Sequence, residues 1–327
     1  MRSYLLYDMI DAARTPLETR VISRQILIVG EALLDQFPDG TSVVGGAPLN
    51  VAWHLHGLGS DPCFVSAVGD DALGERLCDA ISKWGMSTDH IQVVDTKSTG
   101  VVRVTLKDGQ PSYEIVRDVA YDHLQFPADL AEKRPRQSEN DQQADGGCRL
   151  LYHGSLCFRS EQTKQTIVRL KQELRRRVFV DINLREDHFD PSWLPDVLAH
   201  ADYLKCNEDE LQCLAGQKLD GDADVIPLAQ RLISEHGLRA CWITMGDRGA
   251  HWVDQHGEHA FVKTPAVDEV DFRDTIGAGD AFTAITLRGL AQGHDMTETL
   301  QNAVRFAAKV CTLSGATTSD KSFYSDV

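Results

Sequence analysis

Short, unbroken apolar runs recur along this chain, each closing on a small or polar residue and each followed by a segment of helical character. Gln25-Ile-Leu-Ile-Val-Gly30 is the first and Pro62-Cys-Phe-Val-Ser-Ala-Val-Gly69 the second; Leu150-Leu-Tyr-His-Gly-Ser155, Arg177-Val-Phe-Val-Asp-Ile-Asn183, Tyr203-Leu-Lys-Cys-Asn207 and Ala240-Cys-Trp-Ile-Thr244 follow. A strand apolar on both faces must be covered on both faces, which points to a parallel sheet. Helices are expected between the runs: after the Gly45-Gly46 turn up to Gly59, from Asp70 to Gly85, and at 161–177, 208–215, 224–236, 280–292 and 296–314. This alternation predicts an α/β fold, a doubly wound and mostly parallel sheet with helices on both faces. Ligands in such sheets bind beyond the carboxyl ends of the strands. Asp35, Asn183, Asn207 and Gly246 all fall at expected strand ends and are expected to converge on one crevice.

Residues 99–118 follow a different pattern. They alternate apolar and polar positions around Asp108-Gly109, which reads as a hairpin with one wet face and a small sheet of its own. The polar, proline-bearing stretch 132–147 reads as a solvated loop, and residues 1–24, polar and charge-mixed, as an extension ahead of the fold.

The balance of charges narrows the partners. A formal net charge of −16 over 327 residues argues against a nucleic-acid surface, which would be basic, and against anionic membranes. No apolar run approaches the 18 or so residues of a membrane span. The eight cysteines form no CxxC pair and mostly sit within apolar runs, so free buried thiols in a reducing cytoplasm are expected, and a zinc site is not. His54 and His56, and His256 and His259, read as packing or solvated residues.

Chemistry concentrates in Asp274-Thr-Ile-Gly-Ala-Gly-Asp-Ala-Phe282. Gly277, Ala278 and Gly279 open a helix-like run and would leave backbone N–H groups at its positive end free to meet an anion. Asp280 at the mouth of such a hole would repel the anion, so its use would be to take a proton from a hydroxyl that attacks it. A tight turn with a capping Asp explains the same residues. No GxxxxGK[ST] loop is present and no GxGxxG follows the first strand, which disfavours P-loop and dinucleotide folds.

With Gly45-Gly-Ala-Pro-Leu-Asn50-Val-Ala far upstream of this nonapeptide, the chain resembles the PfkB, or ribokinase-like, carbohydrate kinases. Gly69-Asp70-Asp71 with Gly74, Asp181-Ile-Asn183-Leu-Arg185, Asn207-Glu-Asp-Glu210 and Thr244-Met-Gly246-Asp-Arg-Gly249 lie between as matching landmarks over residues 25–318. Gly30-Glu-Ala-Leu-Leu-Asp35 and Gln110-Pro-Ser-Tyr-Glu-Ile115 look most like fructokinases.

The resemblance implies a kinase domain over 25–327 with β-lid segments near 36–44 and 99–118, and pairing of lids into a homodimer. It implies ATP and a small sugar as ligands, with fructose as the sugar and 2-keto-3-deoxygluconate or ribose as alternatives; a non-catalytic sugar-binding protein is the remote one. Asp280 becomes the base, and Gly277, Ala278 and Gly279 the hole for the moving phosphoryl group. Asp35, Gly45, Gly46, Asn50, Asn183, Arg159 and Arg185 become sugar contacts, with Arg103, Arg159 and Arg185 the candidates for a carboxylate on the sugar and Arg185 also for a phosphate. Asn207 and Glu210 would organise Mg²⁺ through water, although the same pair reads as a helix cap. Thr244, Gly246 and Gly249 would admit ATP, with Val304 and Ala308 as an apolar adenine wall. Val304 departs from the asparagine common at that place. Asp274 and Ile276 match positions that hold a monovalent cation such as K⁺; a structural Asp is the other reading.

Overall fold

The computed structural model describes residues 25–107, 110–132, 148–185, 189–268 and 270–326. The expected extension at 1–24, the Asp108-Gly109 turn and nearly all of the 132–147 loop lie outside the described residues.

The elements run in the order β1 (Ile26–Val29), β2 (Leu33–Gln36), β3 (Ser42–Gly45), α1 (Ala47–Gly57), β4 (Cys63–Gly69), α2 (Ala72–Trp84), β5 (Ile91–Val94), β6 (Gly100–Lys107), β7 (Gln110–Ile115) and α3 (Ala128–Glu132). There follow β8 (Leu150–Gly154), α4 (Glu161–Glu173), β9 (Arg177–Asp181), α5 (Leu194–Leu198), β10 (Tyr203–Asn207), α6 (Glu208–Ala215), α7 (Val225–His236), β11 (Ala240–Thr244), β12 (Ala250–Asp254), β13 (His259–Val262), α8 (Ala278–Gln292) and α9 (Met296–Val310). Nine strands form one sheet in the order β13-β12-β11-β10-β9-β8-β1-β4-β5, and four form a second in the order β3-β2-β6-β7. In the large sheet every neighbour pair from β11 to β5 is parallel, and the β11–β12 and β12–β13 pairs at one edge are antiparallel.

The two-sided apolar runs divide as a covered sheet requires. Along β1, Ile26 and Ile28 face a core shared with Trp53, Trp84, Phe282 and Phe306, while Leu27 and Val29 face a second core shared with Ile167, Leu170, Leu211 and Leu232. Helices α1, α2, α8 and α9 therefore cover one face of the sheet and α4 to α7 the other. Trp242, Tyr152 and Phe179 fill the first core at no more than 1% exposure, which fixes the helices of that face close against the strands. His54 is buried there too, its ring 5.3 Å from that of Phe306 and its Nε2 2.9 Å from the Ala316 carbonyl oxygen.

Local signals set the helix ends. Asp71 accepts from the Gly74 N–H at 2.8 Å and starts α2; Gly85, at φ 103, stops it. Helix α4 ends at Glu173, earlier than expected, and Arg177 already belongs to β9, its guanidinium 3.0 Å from Asp202. Helix α9 ends at Val310 rather than 314: Thr312 turns its hydroxyl back onto the Lys309 carbonyl at 2.8 Å, a side-chain bond that competes with continuation. Helix α8 starts at Ala278, two residues before the expected position.

The small sheet is made of β2, β3, β6 and β7, so the segment expected at 36–44 contributes strands at both of its ends rather than one continuous element. Leu33, Val102 and Ile115 on one of its faces pack with Val119, Tyr121 and Leu156 of the body. Farther out, the same register carries Asp35 opposite Val43 and Val102, and Val104 opposite Tyr113, so these residues share that face. Among the described residues no helix is long and apolar enough to cross a membrane. Four of the cysteines are buried, but Cys213 on α6 is exposed, against the expectation from its apolar neighbours.

Candidate active site

Helices α1 and α8 meet through one hydrogen bond. Asn50 Nδ2 donates to Asp280 Oδ2 at 2.8 Å, across 230 residues of sequence. Both helices begin at glycines that offer no side-chain cap, Gly46 at φ 109 and Gly277 at φ 78. Only glycine takes such angles at no steric cost, and space demands it as well. A Cβ on Gly46 would stand 2.7 Å from the Glu31 carbonyl oxygen, and one on Gly277 would stand 2.5 Å from the Ala316 Cα. The Ala278 N–H donates to the Thr275 carbonyl at 3.2 Å, which leaves the Gly279 and Asp280 N–H groups to whatever arrives at this turn, with the Asp280 carboxylate beside them.

Burial is the largest influence on Asp280 and pushes its pKa up to about 6. The Asn50 hydrogen bond and the charges of Lys205 and Arg185 pull it down, and Asp181 pushes it up. The group therefore stays ionised at neutral pH yet holds a pKa far closer to that of a working base than an exposed Asp would.

Around this pair the residues expected to meet the sugar assemble from two sheets. Asp35 lies inside β2 of the small sheet, not at the carboxyl end of a strand of the large one as the sequence suggested. The chain leaves β1 at Gly30 and re-pairs with β6, which carries Asp35 over the crevice instead of along its floor. Gly45 sits against it: a Cβ there would be 2.7 Å from Asp35 Oδ2. Burial raises the Asp35 pKa, and Arg185 opposes the rise. Buried Glu31 responds in the same way, with Arg185 and Arg159 among the charges that lower it. Arg185, exposed beyond β9, thus acts on Glu31, Asp35 and Asp280 together. Asn183 precedes it at φ 44, a left-handed conformation uncommon for a residue other than glycine.

Arg159 is already engaged. Its Nε and Nη2 donate to the two carboxylate oxygens of Asp122, both at 2.8 Å, and Nη2 also to the Val116 carbonyl and the Tyr121 hydroxyl. Both partners of this ion pair are buried, at 4% and 5% side-chain exposure. These contacts tie the exit of β7 to the body, while the Arg159 Nη1 is buried without a hydrogen-bond partner.

Asn207 and Glu210 form a reciprocal cap on α6. Asn207 Oδ1 accepts from the Glu210 N–H at 2.9 Å, and Glu210 Oε2 from the Asn207 N–H at 2.7 Å. Glu210 Oε1 accepts from the Leu184 N–H at 2.7 Å, so both carboxylate oxygens hold backbone donors and lock the β9 exit to α6. A cation that keeps its own water shell fits beside such a residue better than one needing a direct ligand; no group of three His, Cys, Asp or Glu suited to a metal occurs among the described residues.

Thr244 pairs with Asn207 at the carboxyl ends of β11 and β10. Gly246, at φ 59, and Gly249, at φ 136, shape the next turn, which closes when Met245 N–H donates to the Gly249 carbonyl at 2.8 Å. Val304 and Ala308 are 3% and 5% exposed, and Val304 belongs to the main core. At these two positions α9 packs inward instead of presenting an open wall, because they lie on the face of α9 that is already covered. Asp274 also has local duties: Oδ1 accepts from the Ile276 N–H at 2.9 Å and Oδ2 from the Gly315 N–H at 3.1 Å. The Ile276 side chain is half exposed.

Two residues of this site escaped the sequence reading of roles. Asp181 and Lys205 form a buried ion pair at 3.0 Å beneath Gly279. The available signal was a charged residue inside each of two otherwise apolar strands, since such groups are seldom fully buried unless paired.

The protein is 28% identical over 280 residues to a fructokinase from Klebsiella pneumoniae, covering 82% of this chain and 84% of that one. Its fold matches the crystal structure of a fructokinase with bound ATP from Xylella fastidiosa, with a TM-score of 0.70, 25% identity and 92% and 95% of the two chains covered. It also matches a fructokinase from Vibrio cholerae O395 in its fructose, ADP and calcium ion bound form, with a TM-score of 0.72 over 93% and 98% of the chains; at 23% identity this likeness concerns the fold. Residues 21–322 match the family model described as pfkB family carbohydrate kinase, and the chain belongs to that family of sugar kinases.

Proposed function

We propose that this sugar kinase transfers the γ-phosphoryl group of ATP to a primary hydroxyl of a small neutral sugar, converting fructose to fructose 6-phosphate. The observation that carries the reading is the Asn50–Asp280 hydrogen bond at the open N-terminus of α8. It brings the candidate base, the anion hole and the glycine-opened sugar helix to one point.

In this reading the sugar lies between α1 and the small sheet, its hydroxyls held by Asp35 and Asn50. Asp280 accepts the proton of the attacking hydroxyl as its oxygen forms the new P–O bond. The bond from phosphorus to the bridging oxygen of ADP breaks in line with it, and ADP leaves with that electron pair. The Gly279 and Asp280 N–H groups in the first turn of α8 meet the negative charge on the transferred group. Arg185 meets either a phosphate or a sugar oxygen. ATP enters past Thr244, Gly246 and Gly249; ATP as the donor is supported by the ATP bound to the Xylella fructokinase. Mg²⁺, when bound, neutralises phosphate charge; Asn207 and Glu210 would hold it through its waters. A monovalent cation at the 274–276 turn would rest on carbonyl oxygens and on lone pairs that Asp274 keeps beyond its two N–H partners.

Electrostatics support a neutral substrate over 2-keto-3-deoxygluconate. Glu31, Asp35 and Asp280 line the acceptor side, Arg159 is paired with Asp122 through two of its nitrogens, and Arg103 lies 3.4 Å from Glu114. A sugar carboxylate would meet repulsion there, with Arg185 the candidate cation left among those the sequence suggested. The small sheet acts as a lid in this reading. Val43 and Tyr113 are 49% and 53% exposed on its crevice face, an apolar surface suited to closing over a sugar or to pairing with the same sheet of a second copy. The test is ADP release coupled to a panel of fructose, ketodeoxygluconate and ribose, with Mg²⁺ and with or without K⁺. Fructose is expected to give the highest kcat/KM. Turnover of ketodeoxygluconate with none of fructose would overturn the substrate reading.

A further inference from the structure

Lys205 is a buried lysine that no step above uses. The parallel register of β9 and β10 sets it beside Asp181, and its Nζ donates to both Asp181 oxygens at 3.0 Å. The two side chains are 8% and 1% exposed. Asp181 Oδ2 also accepts from Thr283 Oγ1 at 2.9 Å, in the second turn of α8. On the side of the α8 first turn, Nζ abuts Gly279, where an added Cβ would stand 3.2 Å from it. An ammonium removed from water is costly even when paired, and an apolar pair of similar volume would join these strands more cheaply. A cation beneath a helix N-terminus also opposes the helix dipole. Asp181, Glu210 and Asp280 offset the cost of burial, and negative charge gathering over the first turn of α8 would offset the opposition to the dipole.

We propose that Lys205 is a positioning residue for phosphoryl transfer: through Asp181 it ties the first turns of α8 to the sheet, and from beneath Gly279 it supplies the positive charge against which Asp280 works. The inference rests on Asp280 being the base. Asp280 is faced by Asn50 from α1, Tyr152 from β8, Asp181 from β9, Arg185 beyond β9 and Lys205 from β10, while Glu210 at the start of α6 acts on Lys205. Of these, Asp181 raises the proton affinity of Asp280 whereas Lys205, Arg185 and Asn50 lower it. The two members of the buried pair therefore act on the base with opposite signs.

The test is the pH dependence of kcat at saturating sugar and MgATP in Lys205→Met, Lys205→Arg and Asp181→Asn, with Asp280→Asn as reference. Ionisation of ATP itself is common to all variants and cancels in the comparison. Lys205→Met is expected to move the acid limb upward by about one pH unit, so that its loss of activity is larger at pH 6 than at pH 8. Asp181→Asn is expected to move the limb downward, and Lys205→Arg to leave it in place. A uniform fall in kcat at every pH, or limbs of Lys205→Met and Asp181→Asn that move the same way, would overturn the proposal. Where Lys205→Met does not fold, the direction of the Asp181→Asn limb decides by itself. Inactive Asp280→Asn with unmoved limbs removes the role of Lys205 alone; active Asp280→Asn removes the base and this inference with it.

Discussion

Asn50 and Asp280 hold each other at 2.8 Å, one from the helix that follows the double glycine and one from the helix that opens at Gly277. Two widely separated glycine motifs thus share one hydrogen bond. Asn50 keeps one carboxylate oxygen of Asp280 occupied and aims the other. Its donor also favours the ionised form, opposing the burial that pushes Asp280 up to about 6.

A base with that pKa predicts the pH profile. Asp280 works only when deprotonated, so kcat should fall below about pH 6, tenfold per unit, with one proton taken up. A pH series of kcat at saturating substrates reads this; a profile flat down to pH 4.5 would contradict it.

Removal of the Asn50 donor should move the same limb. In Asn50→Ala the carboxylate loses the interaction that lowers its pKa, so the limb should shift to higher pH and kcat at pH 7 should fall by about 2- to 10-fold. A variant that changes KM for the sugar alone would show that Asn50 only binds.

The turn at Gly277 tolerates no side chain. Gly277→Ala combines a left-handed backbone with a Cβ 2.5 Å from the Ala316 Cα. Strain of this kind costs about 1–3 kcal/mol, and the backbone must shift away from the anion hole. Thermal unfolding should register the loss of stability and kcat should drop with it; stability loss with an unchanged kcat would detach the turn from catalysis.

The Arg159–Asp122 pair should matter for stability and not for sugar choice. Arg159→Ala leaves a buried carboxylate without its partner, which costs about 3–5 kcal/mol. Chemical denaturation should show a smaller loss in Arg159→Met with Asp122→Leu, where both charges go. A changed ratio of kcat/KM between fructose and ketodeoxygluconate in the double variant would return Arg159 to the sugar site.

The parts of the fold that were legible in the sequence are those in which a strand is buried on both faces. In Ile26–Val29 and Ala240–Thr244 no alternation competes with the apolar run. The start of α8 was misplaced by two residues because Gly277 alone takes the left-handed turn, while Ala278 and Gly279 are already helical. Asp35 was assigned to the wrong sheet: strand membership depends on pairing with β6, some 65 residues on, which no local pattern encodes. The Arg159–Asp122 pair is hidden from local patterns in the same way, its partners lying 37 residues apart. That Val304 faces the main core follows from how α9 packs, which its own sequence does not state. Lys205 and Asp181 stood in plain view as charges within apolar strands, but their partnership follows from the β9–β10 register.

Asp280→Asn is the most direct test, because it keeps the shape and removes the base. Sugar-dependent ADP release should fall by about 10³-fold or more, while calorimetry should still detect ATP binding. Stability should respond in the opposite sense. The folded-state pKa lies above the ordinary Asp value, so the ionised carboxylate costs folding free energy that grows from about pH 4 to about pH 6 and persists above. The variant should therefore unfold a few degrees higher than the wild type at pH 8 and gain little near pH 4. Loss of turnover with ATP binding retained and stability raised is the predicted result. Near-normal turnover in Asp280→Asn would contradict the account.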